Sequence, residues 1–308
     1  MAKKHIYIYS PSGAVRDKAA FKRGVKRLGV LGYDVELDAD VLSSHMRFAG
    51  DDDTRLAAIH RAAASGADIA MISRGGYGFT RILGGIRYKT VAKAIERGTQ
   101  FVGISDFTAF QLAVLAKTSA VTWAGPALCE GFGVGGAPDL QPDDIMEDCF
   151  HDMVSGQGEG TGWRQNQAWS GVAPLGIRNA TVWGGNLSVL VSMAATPYFP
   201  SIKGGILFLE DVGEHPYQIE RMLTQLLHAG ILADQKAIVL GQFTGYKLSP
   251  HDKGFKFNTV VAWLQAQLKV PVLTNLPYGH VQTKVLLPVG KKADLLAEGK
   301  DVMLVWGH

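Results

Sequence analysis

The chain has 308 residues, enough for two α/β domains of roughly 130–150 residues each, and its 47% apolar and 19% charged residues suit a protein with real hydrophobic cores. A net charge of +3, with no basic block beyond pairs such as Lys3–Lys4 and Lys291–Lys292, argues against a nucleic-acid surface. No run of about 18 apolar residues offers a membrane span, and the N-terminal apolar run is too short for a signal peptide, so a cytoplasmic protein is expected. Cys129 and Cys149, the only cysteines, are read as buried free thiols.

His5–Tyr9 alternates into a first strand, and Ser10-Pro11-Ser12-Gly13 turns the chain towards a helix with Phe21, Val25 and Leu28 on one side. Tyr33–Leu37 reads as a second strand. Asp51–Asp53 cap and charge a helix that runs through Leu56, Ile59 and Ala63 to Gly66. Ala67–Ile72 is a third strand. It ends in Ser73-Arg74-Gly75-Gly76-Tyr77-Gly78, where three glycines in four positions permit positive φ, a close approach to a ligand and an anion-binding nest. The loop lacks the Lys-Ser/Thr of a Walker A motif and the G-x-G-x-x-G spacing of a dinucleotide site. A plain tight turn is the alternative.

Gln100, Phe101, Val102 and Ile104 form a short buried strand, and from Phe107 the residues Phe110, Val114 and Leu115 take up helical spacing. Ser105 therefore sits on a strand-to-helix turn, where its hydroxyl can project and the N–H groups after it face any anion formed beside it. The G-x-S-x-G elbow signature is half met, because Gly103 is present but Phe107 stands in place of the second glycine. The competing reading is that Ser105 or Asp106 merely caps the helix.

Ala120–Ala124 is a further strand, followed by glycine- and proline-rich Gly131–Pro142 and polar Ser155–Gly162. The expected division is an N-terminal domain over 1–142, a linker region over 143–170 and a C-terminal domain over 171–308. In the second half, strand Ala180–Trp183 leads into Gly184-Gly185-Asn186-Leu187, and Gly205–Leu209 is an apolar strand ending in Glu210-Asp211. A helix starts at Pro216 with Ile219, Met222, Leu223, Leu226 and Leu227 on one stripe. Then come strand Ala237–Leu240, amphipathic Phe257–Leu268, extended Val270–Leu273, the turn Leu276–His280, and Thr283–Val289 as an antiparallel or edge strand.

A nucleophilic serine needs a base, and the base needs a group to fix its tautomer. Ser105, His280 and Glu210 are the candidates, since Glu210 ends an apolar strand where a charge without partners is costly. His60 and His228 fall in helices, His5 and His308 lie near the termini, and His215 adjoins a proline. Asp211 and Glu214 could simply complement the N-terminus of the next helix. No H-E-x-x-H or paired Cys/His spacing supports a metal site. Arg74, beside the glycine loop, is the best placed cation for an anionic group held there, with Arg81 in reserve; alternatively Arg74 braces the loop through a carboxylate.

Six segments then fall into a pattern: S-P-S-G (Ser10–Gly13), R-G-G-Y-G (Arg74–Gly78), G-I-S-D-F-T (Gly103–Thr108), W-G-G-N-L (Trp183–Leu187), L-E-D-V-G-E-H-P-Y-Q-I-E-R-M-L (Leu209–Leu223) and Y-G-H (Tyr278–His280). In this order they closely resemble the LD-carboxypeptidase family over nearly the whole chain. The resemblance implies a serine peptidase without metal or cofactor, with Ser105 as nucleophile, Glu210 as orienting carboxylate and His280 as base. It further implies oxyanion donors at the backbone N–H groups of Asp106 and Gly76. The implied fold pairs an N-terminal flavodoxin-like or amidotransferase-like parallel sheet with a smaller C-terminal α/β domain, the triad being drawn from both, in a homodimer. The implied reaction releases D-alanine from a murein tetrapeptide by cleaving its L-centre–D-alanine amide, in peptidoglycan recycling. A self-immunity peptidase acting on a peptidyl-nucleotide antibiotic and a catalytically idle murein-peptide binding protein are the alternatives. The Ser…Glu…His order is shared with α/β-hydrolases by convergence.

Overall fold

The computed structural model describes residues 3–137, 140–169, 171 and 173–307. The expected domain limits at Ser170 and His308, and the pair Pro138-Asp139 of the glycine-rich stretch, lie outside the described residues. The chain divides into two compact units. One comprises Met1–Gly158, Ala195–Pro200 and Gln282–Val289; the other comprises Glu159–Ala194, Ser201–Val281 and Gly290–His308.

The first unit alternates strands and helices: β1 (His5–Tyr9), α1 (Lys18–Val30), β2 (Asp34–Leu37), α2 (Asp52–Ala64), β3 (Ile69–Ile72), α3 (Phe79–Ile82), α4 (Tyr88–Glu96), β4 (Gln100–Gly103), α5 (Thr108–Thr118), β5 (Thr122–Ala124) and α6 (Asp144–Ser155). The caps follow the sequence expectation. Asp51 accepts from Thr54 N–H at 2.8 Å to start α2, and Asp17 accepts from Ala20 N–H at 2.8 Å to start α1. Strands β5, β4, β3, β1 and β2 lie side by side and parallel, the flavodoxin-like order. The order reverses between β1 and β3. The loops Ser10–Gly13 and Arg74–Gly78 leave these two strands at their carboxyl ends, where open α/β sheets bind ligands. The edge strand expected near Thr283–Val289 forms as Leu287–Val289, antiparallel to β5 with Leu287 opposite Ala124.

The second unit carries β6 (Gly160–Arg164), β7 (Leu175–Asn186), α7 (Leu187–Met193), β8 (Ile206–Val212), α8 (Pro216–His228), β9 (Ala237–Thr244), α9 (Phe257–Gln267) and β10 (Val272–Leu273). With Leu287–Val289 counted as β11, it closes with β12 (Lys292–Glu298) and β13 (Asp301–Val305). Its sheet runs β10-β9-β8-β7-β12-β13-β6, parallel from β10 to β7 and antiparallel beyond. The two-domain α/β architecture and the parallel sheet expected from sequence are thus present. The hairpin β12–β13 escaped sequence reading because its inward face is mostly small, Ala293, Leu295 and Ala297, and is interleaved with charges. Among the described residues no helix is long and apolar enough to cross a membrane.

Candidate active site

Ser105 lies where expected, in the short turn between β4 and α5, and its φ is +68°. A left-handed backbone at a non-glycine residue costs about 1–3 kcal/mol and persists only where packing imposes it. Here the packing is aromatic. Phe107 and Phe110 stack at 5.0 Å, Phe101 meets Phe110 at 5.5 Å and Phe79 meets Phe107 at 5.9 Å. A Cβ on Gly103 would stand 2.7 Å from the Phe107 ring. Phe107 occupies the second-glycine position of the elbow because its ring fills the space that Gly103 leaves. The capping alternative fails, since α5 begins at an N-cap Phe107 with no side-chain cap bond.

The Asp106 carboxylate is buried and serves another purpose. It accepts from Ser12 Oγ and, at 2.9 Å, from Phe79 N–H, so it ties the Ser105 turn to both glycine loops. Burial pushes its carboxyl above the usual range, opposed by these two hydrogen bonds. Sequence reading offered Asp106 as a backbone donor or a helix cap and Ser12 as part of the S-P-S-G turn, but not their pairing. Their partnership spans 94 residues and has no local signal.

The glycine loop lies directly against Ser105. A Cβ on Gly75 would stand 2.6 Å from Ser105 Cβ and 2.9 Å from its Oγ, so no larger residue fits there. Gly13 N–H donates to Gly75 O at 3.2 Å, and Gly76, with φ +120°, packs on Gly13. The fully buried Arg55 donates to Gly78 O at 2.9 Å and braces the loop from below. Arg74 pairs with Glu130 at 3.4 Å and reaches Ala14 O at 3.4 Å. Arg81 pairs with Asp52 at 3.0 Å.

In the second unit Glu210 and His280 are brought together. His280 Nδ1 lies 2.8 Å from Glu210 Oε2, and Glu210 is 0% exposed. An ionised carboxylate would only accept, so this pairing suits the tautomer of a neutral ring that carries its proton on Nδ1 and its lone pair on Nε2. Gly279, at φ +143°, permits this approach, because a Cβ there would stand 3.2 Å from Glu210 Oε2. Tyr278 holds the turn by accepting at its carbonyl from Gln242 N–H at 2.9 Å and packing edge-on against Phe208 at 5.3 Å.

The register of β8 on β9 shifts between Leu209 and Asp211. Successive strand residues normally face opposite ways, and the bulge re-aims them. Both Glu210 and Asp211 are in consequence buried beside one partner, Asn186, whose Nδ2 donates to Glu210 Oε1 at 3.2 Å and to Asp211 Oδ1 at 2.9 Å. Asp211 also accepts from Ser188 N–H at 2.8 Å, at the start of α7. This corrects the expectation that Asp211 complements the helix at Pro216. That helix is capped by His215 with Gln218 in a reciprocal capping box. Burial, and next the charge of Glu210, push the Asp211 carboxyl up to about 6. The role of Asn186 was also missed; its signal was the W-G-G-N-L segment, which places a polar side chain at a strand end level with Glu210.

Among the described residues no three His, Cys, Asp or Glu side chains gather as metal ligands. The models of the LD-carboxypeptidase N-terminal and C-terminal domains match residues 6–125 and 179–295. A probable murein peptide carboxypeptidase of Bacillus subtilis is 30% identical over 278 residues, covering 90% of this chain and 84% of that protein. The crystal structure of muramoyltetrapeptide carboxypeptidase from Oxalobacter formigenes superimposes with a TM-score of 0.87 at 38% identity, over 99% of both chains. The microcin C7 self-immunity protein MccF shares the fold at a TM-score of 0.84 and 22% identity, over 99% of this chain and 97% of that one. With both domain models matched in order and the glycine loops, serine turn and Glu–His pair in place, the chain belongs to the LD-carboxypeptidase family of serine peptidases.

Proposed function

We propose that this protein is a serine-type LD-carboxypeptidase that removes the terminal D-alanine from murein tetrapeptides, in peptidoglycan recycling. The observation that carries the reading is the hydrogen bond from His280 Nδ1 to the buried Glu210, which leaves Nε2 as a base. In the proposed reaction Ser105 Oγ attacks the carbonyl carbon of the L-centre and His280 Nε2 takes its proton. The N–H groups of Asp106 and Gly76 receive the oxyanion. Collapse breaks the C–N bond, the imidazolium hands its proton to the leaving amine of D-alanine, and water then cleaves the acyl-enzyme to free the tripeptide. Glu210 fixes the tautomer and stabilises the imidazolium. Arg74 is proposed to read the terminal carboxylate, exchanging its 3.4 Å pairing with Glu130 for the substrate.

The same reading takes the protein as a cytoplasmic homodimer that works without metal or cofactor. The antibiotic-cleaving alternative draws on a likeness of 22% identity, against 38% for the muramoyltetrapeptide carboxypeptidase. An idle binding protein would be expected to lack a triad residue, and Ser105, Glu210 and His280 are all in the sequence. The test is incubation with a murein tetrapeptide and with its all-L counterpart. Free alanine is expected from the first alone, and equal release from both refutes the stereochemical assignment.

A further inference from the structure

Between β2 and α2 the chain makes a four-residue turn, His45–Phe48, closed from both sides: His45 N–H donates to Phe48 O and Phe48 N–H to His45 O, each at 2.9 Å. Met46 holds the first of the two central positions with φ +52°, and it is 79% exposed. A tight turn that needs a positive φ there ordinarily takes glycine, so a methionine is strained and gains no burial in return. What the turn presents is the next residue, Arg47. The turn is also fastened to the serine site. Arg47 O accepts from Ala14 N–H at 3.1 Å and Ser12 O accepts from Ala49 N–H at 3.0 Å, while Gly13 N–H donates at 3.2 Å to Gly75 O, the glycine that lies against Ser105.

Arg47 is exposed, and its guanidinium lies 5.6 Å from the ring centroid of Tyr77, a half-exposed residue of the glycine loop. The other arginines around this loop are engaged, Arg74 with Glu130 and both Arg81 and the buried Arg55 with Asp52. Among the described residues no carboxylate lies within ion-pair distance of Arg47. A contact with a ring face uses none of the five N–H donors, so the fork that matches a planar anion is left open. We propose that Arg47, backed by Tyr77, is a specificity-determining residue that binds a carboxylate inside the peptide substrate, apart from the terminal one assigned to Arg74. This rests on the murein reading above, whose peptide supplies such groups: a glutamyl residue linked through its side chain keeps a free α-carboxylate, and a diamino diacid at the L-centre keeps another. One fork binds one carboxylate, and the two cations border the same Ser12–Ala14 segment, since Arg74 reaches Ala14 O at 3.4 Å.

The experiment is a double cycle by calorimetry in the full chain carrying Ser105→Ala, so that binding is read without turnover. The probes are a murein tetrapeptide, versions with its internal carboxylates amidated one at a time, and a version amidated at the C-terminus. Arg47→Ala is expected to weaken binding of the tetrapeptide about tenfold, with an unfolding midpoint equal to the parent's. Amidating one of the internal carboxylates is expected to cost as much, and variant and amide together no more than either alone, which identifies the carboxylate that is read. The loss from terminal amidation should add in full to that from Arg47→Ala. Arg47→Lys keeps the charge without the fork and should fall between. Unchanged binding in Arg47→Ala, losses that add in full for every internal amide, or coupling to the terminal amide instead, each overturns the proposal. With Ser105 restored, Arg47→Ala is expected to raise the KM for alanine release about tenfold. Alanine release indifferent to Arg47 strikes this inference alone. Coupled binding without alanine release from the native enzyme strikes the murein reaction alone, and a tetrapeptide neither bound nor cleaved overturns both.

Discussion

The turn that carries Ser105 and the strand end that carries Glu210 hold the groups proposed to react by different means. Ser105 is held by backbone and rings: a left-handed φ of +68°, imposed by Phe107 and Phe110 below and by a glycine loop so close that a Cβ on Gly75 would reach Ser105 Oγ at 2.9 Å. Glu210 is held by hydrogen bonds from segments far apart in the chain, Asn186 on one side and His280 on the other. A nucleophile must project in one fixed direction, and apolar packing can fix a backbone without entering the reaction. An orienting carboxylate must stay charged while buried, and only polar partners allow that. The difference predicts how each half fails.

Removing the groups proposed to react should have the largest effect. Ser105→Ala should lose turnover by about 10⁴ or more, with an unfolding midpoint equal to the native one, because the change removes one oxygen and no packing. Glu210→Ala should lose most activity as well. Unlike the serine variant it removes the carboxylate that Asn186 Nδ2 and His280 Nδ1 meet, at a cost of about 1–3 kcal/mol. Native turnover in Ser105→Ala ends the serine-peptidase reading, and equal midpoints for the two variants would remove the contrast drawn here.

Next comes the apolar support. Phe107 is fully buried among Phe79, Phe110 and the face of Gly103, so Phe107→Ala opens a cavity and should cost about 3–5 kcal/mol. Chemical denaturation measures it. A cost below 1 kcal/mol, on the order of one methyl group, would mean that the rings do not hold the turn.

The same contrast explains what could be read from the residues in order. The Ser105 turn was legible because strand, serine and helix are contiguous, and even the departure from G-x-S-x-G, Phe107, lies within the motif it modifies. The parallel strands, the caps at Asp51 and the edge strand at Leu287–Val289 were legible for similar local reasons. Glu210 and His280 could be nominated by their strand-end positions, but the pairing itself was not in the pattern. Asp211 was read as a helix charge because Pro216 follows five residues later, and the bulge that turns it towards Asn186 and Ser188 has no local signature. The bond between Ser12 and Asp106 escaped for the same reason: a hydrogen bond across 94 residues leaves no periodicity.

Asp211 offers a sharper, pH-dependent test of the polar side. Its carboxyl is raised from 3.8 to about 6 by burial and by Glu210. With the folded value above the unfolded one, the folded state holds the proton more tightly, so this contribution to stability is fully present below about pH 4 and is lost as pH rises through about 6. A shift of this size corresponds to at most about 3 kcal/mol. The unfolding free energy should therefore decline between pH 4 and pH 7 in the native protein, and Asp211→Asn should flatten that decline. Asp211→Ala should also keep far more activity than Glu210→Ala. A pH profile identical in native protein and Asp211→Asn would show that Asp211 is not the group responsible.

The smallest expected effect concerns Arg74, where the two modes of support meet. Its ion pair with Glu130 at 3.4 Å is long for a charge-assisted bond, and the second link, to Ala14 O, is as long. A guanidinium held this loosely beside the glycine loop is available to a carboxylate that fits its fork better. Arg81, paired with Asp52 at 3.0 Å and half-exposed, is the less available cation. If Arg74 reads the terminal carboxylate of the substrate, Arg74→Lys should lower kcat/KM about tenfold, because an ammonium cannot match both oxygens of a carboxylate in one plane. Amidating the substrate's C-terminus should remove the same interaction from the other side. In a double cycle of the two changes the losses should then fail to add, since the second change has little left to remove. Full additivity would return Arg74 to the role its pairing with Glu130 already shows, a brace for the loop, and would leave the terminal carboxylate to be read by another group.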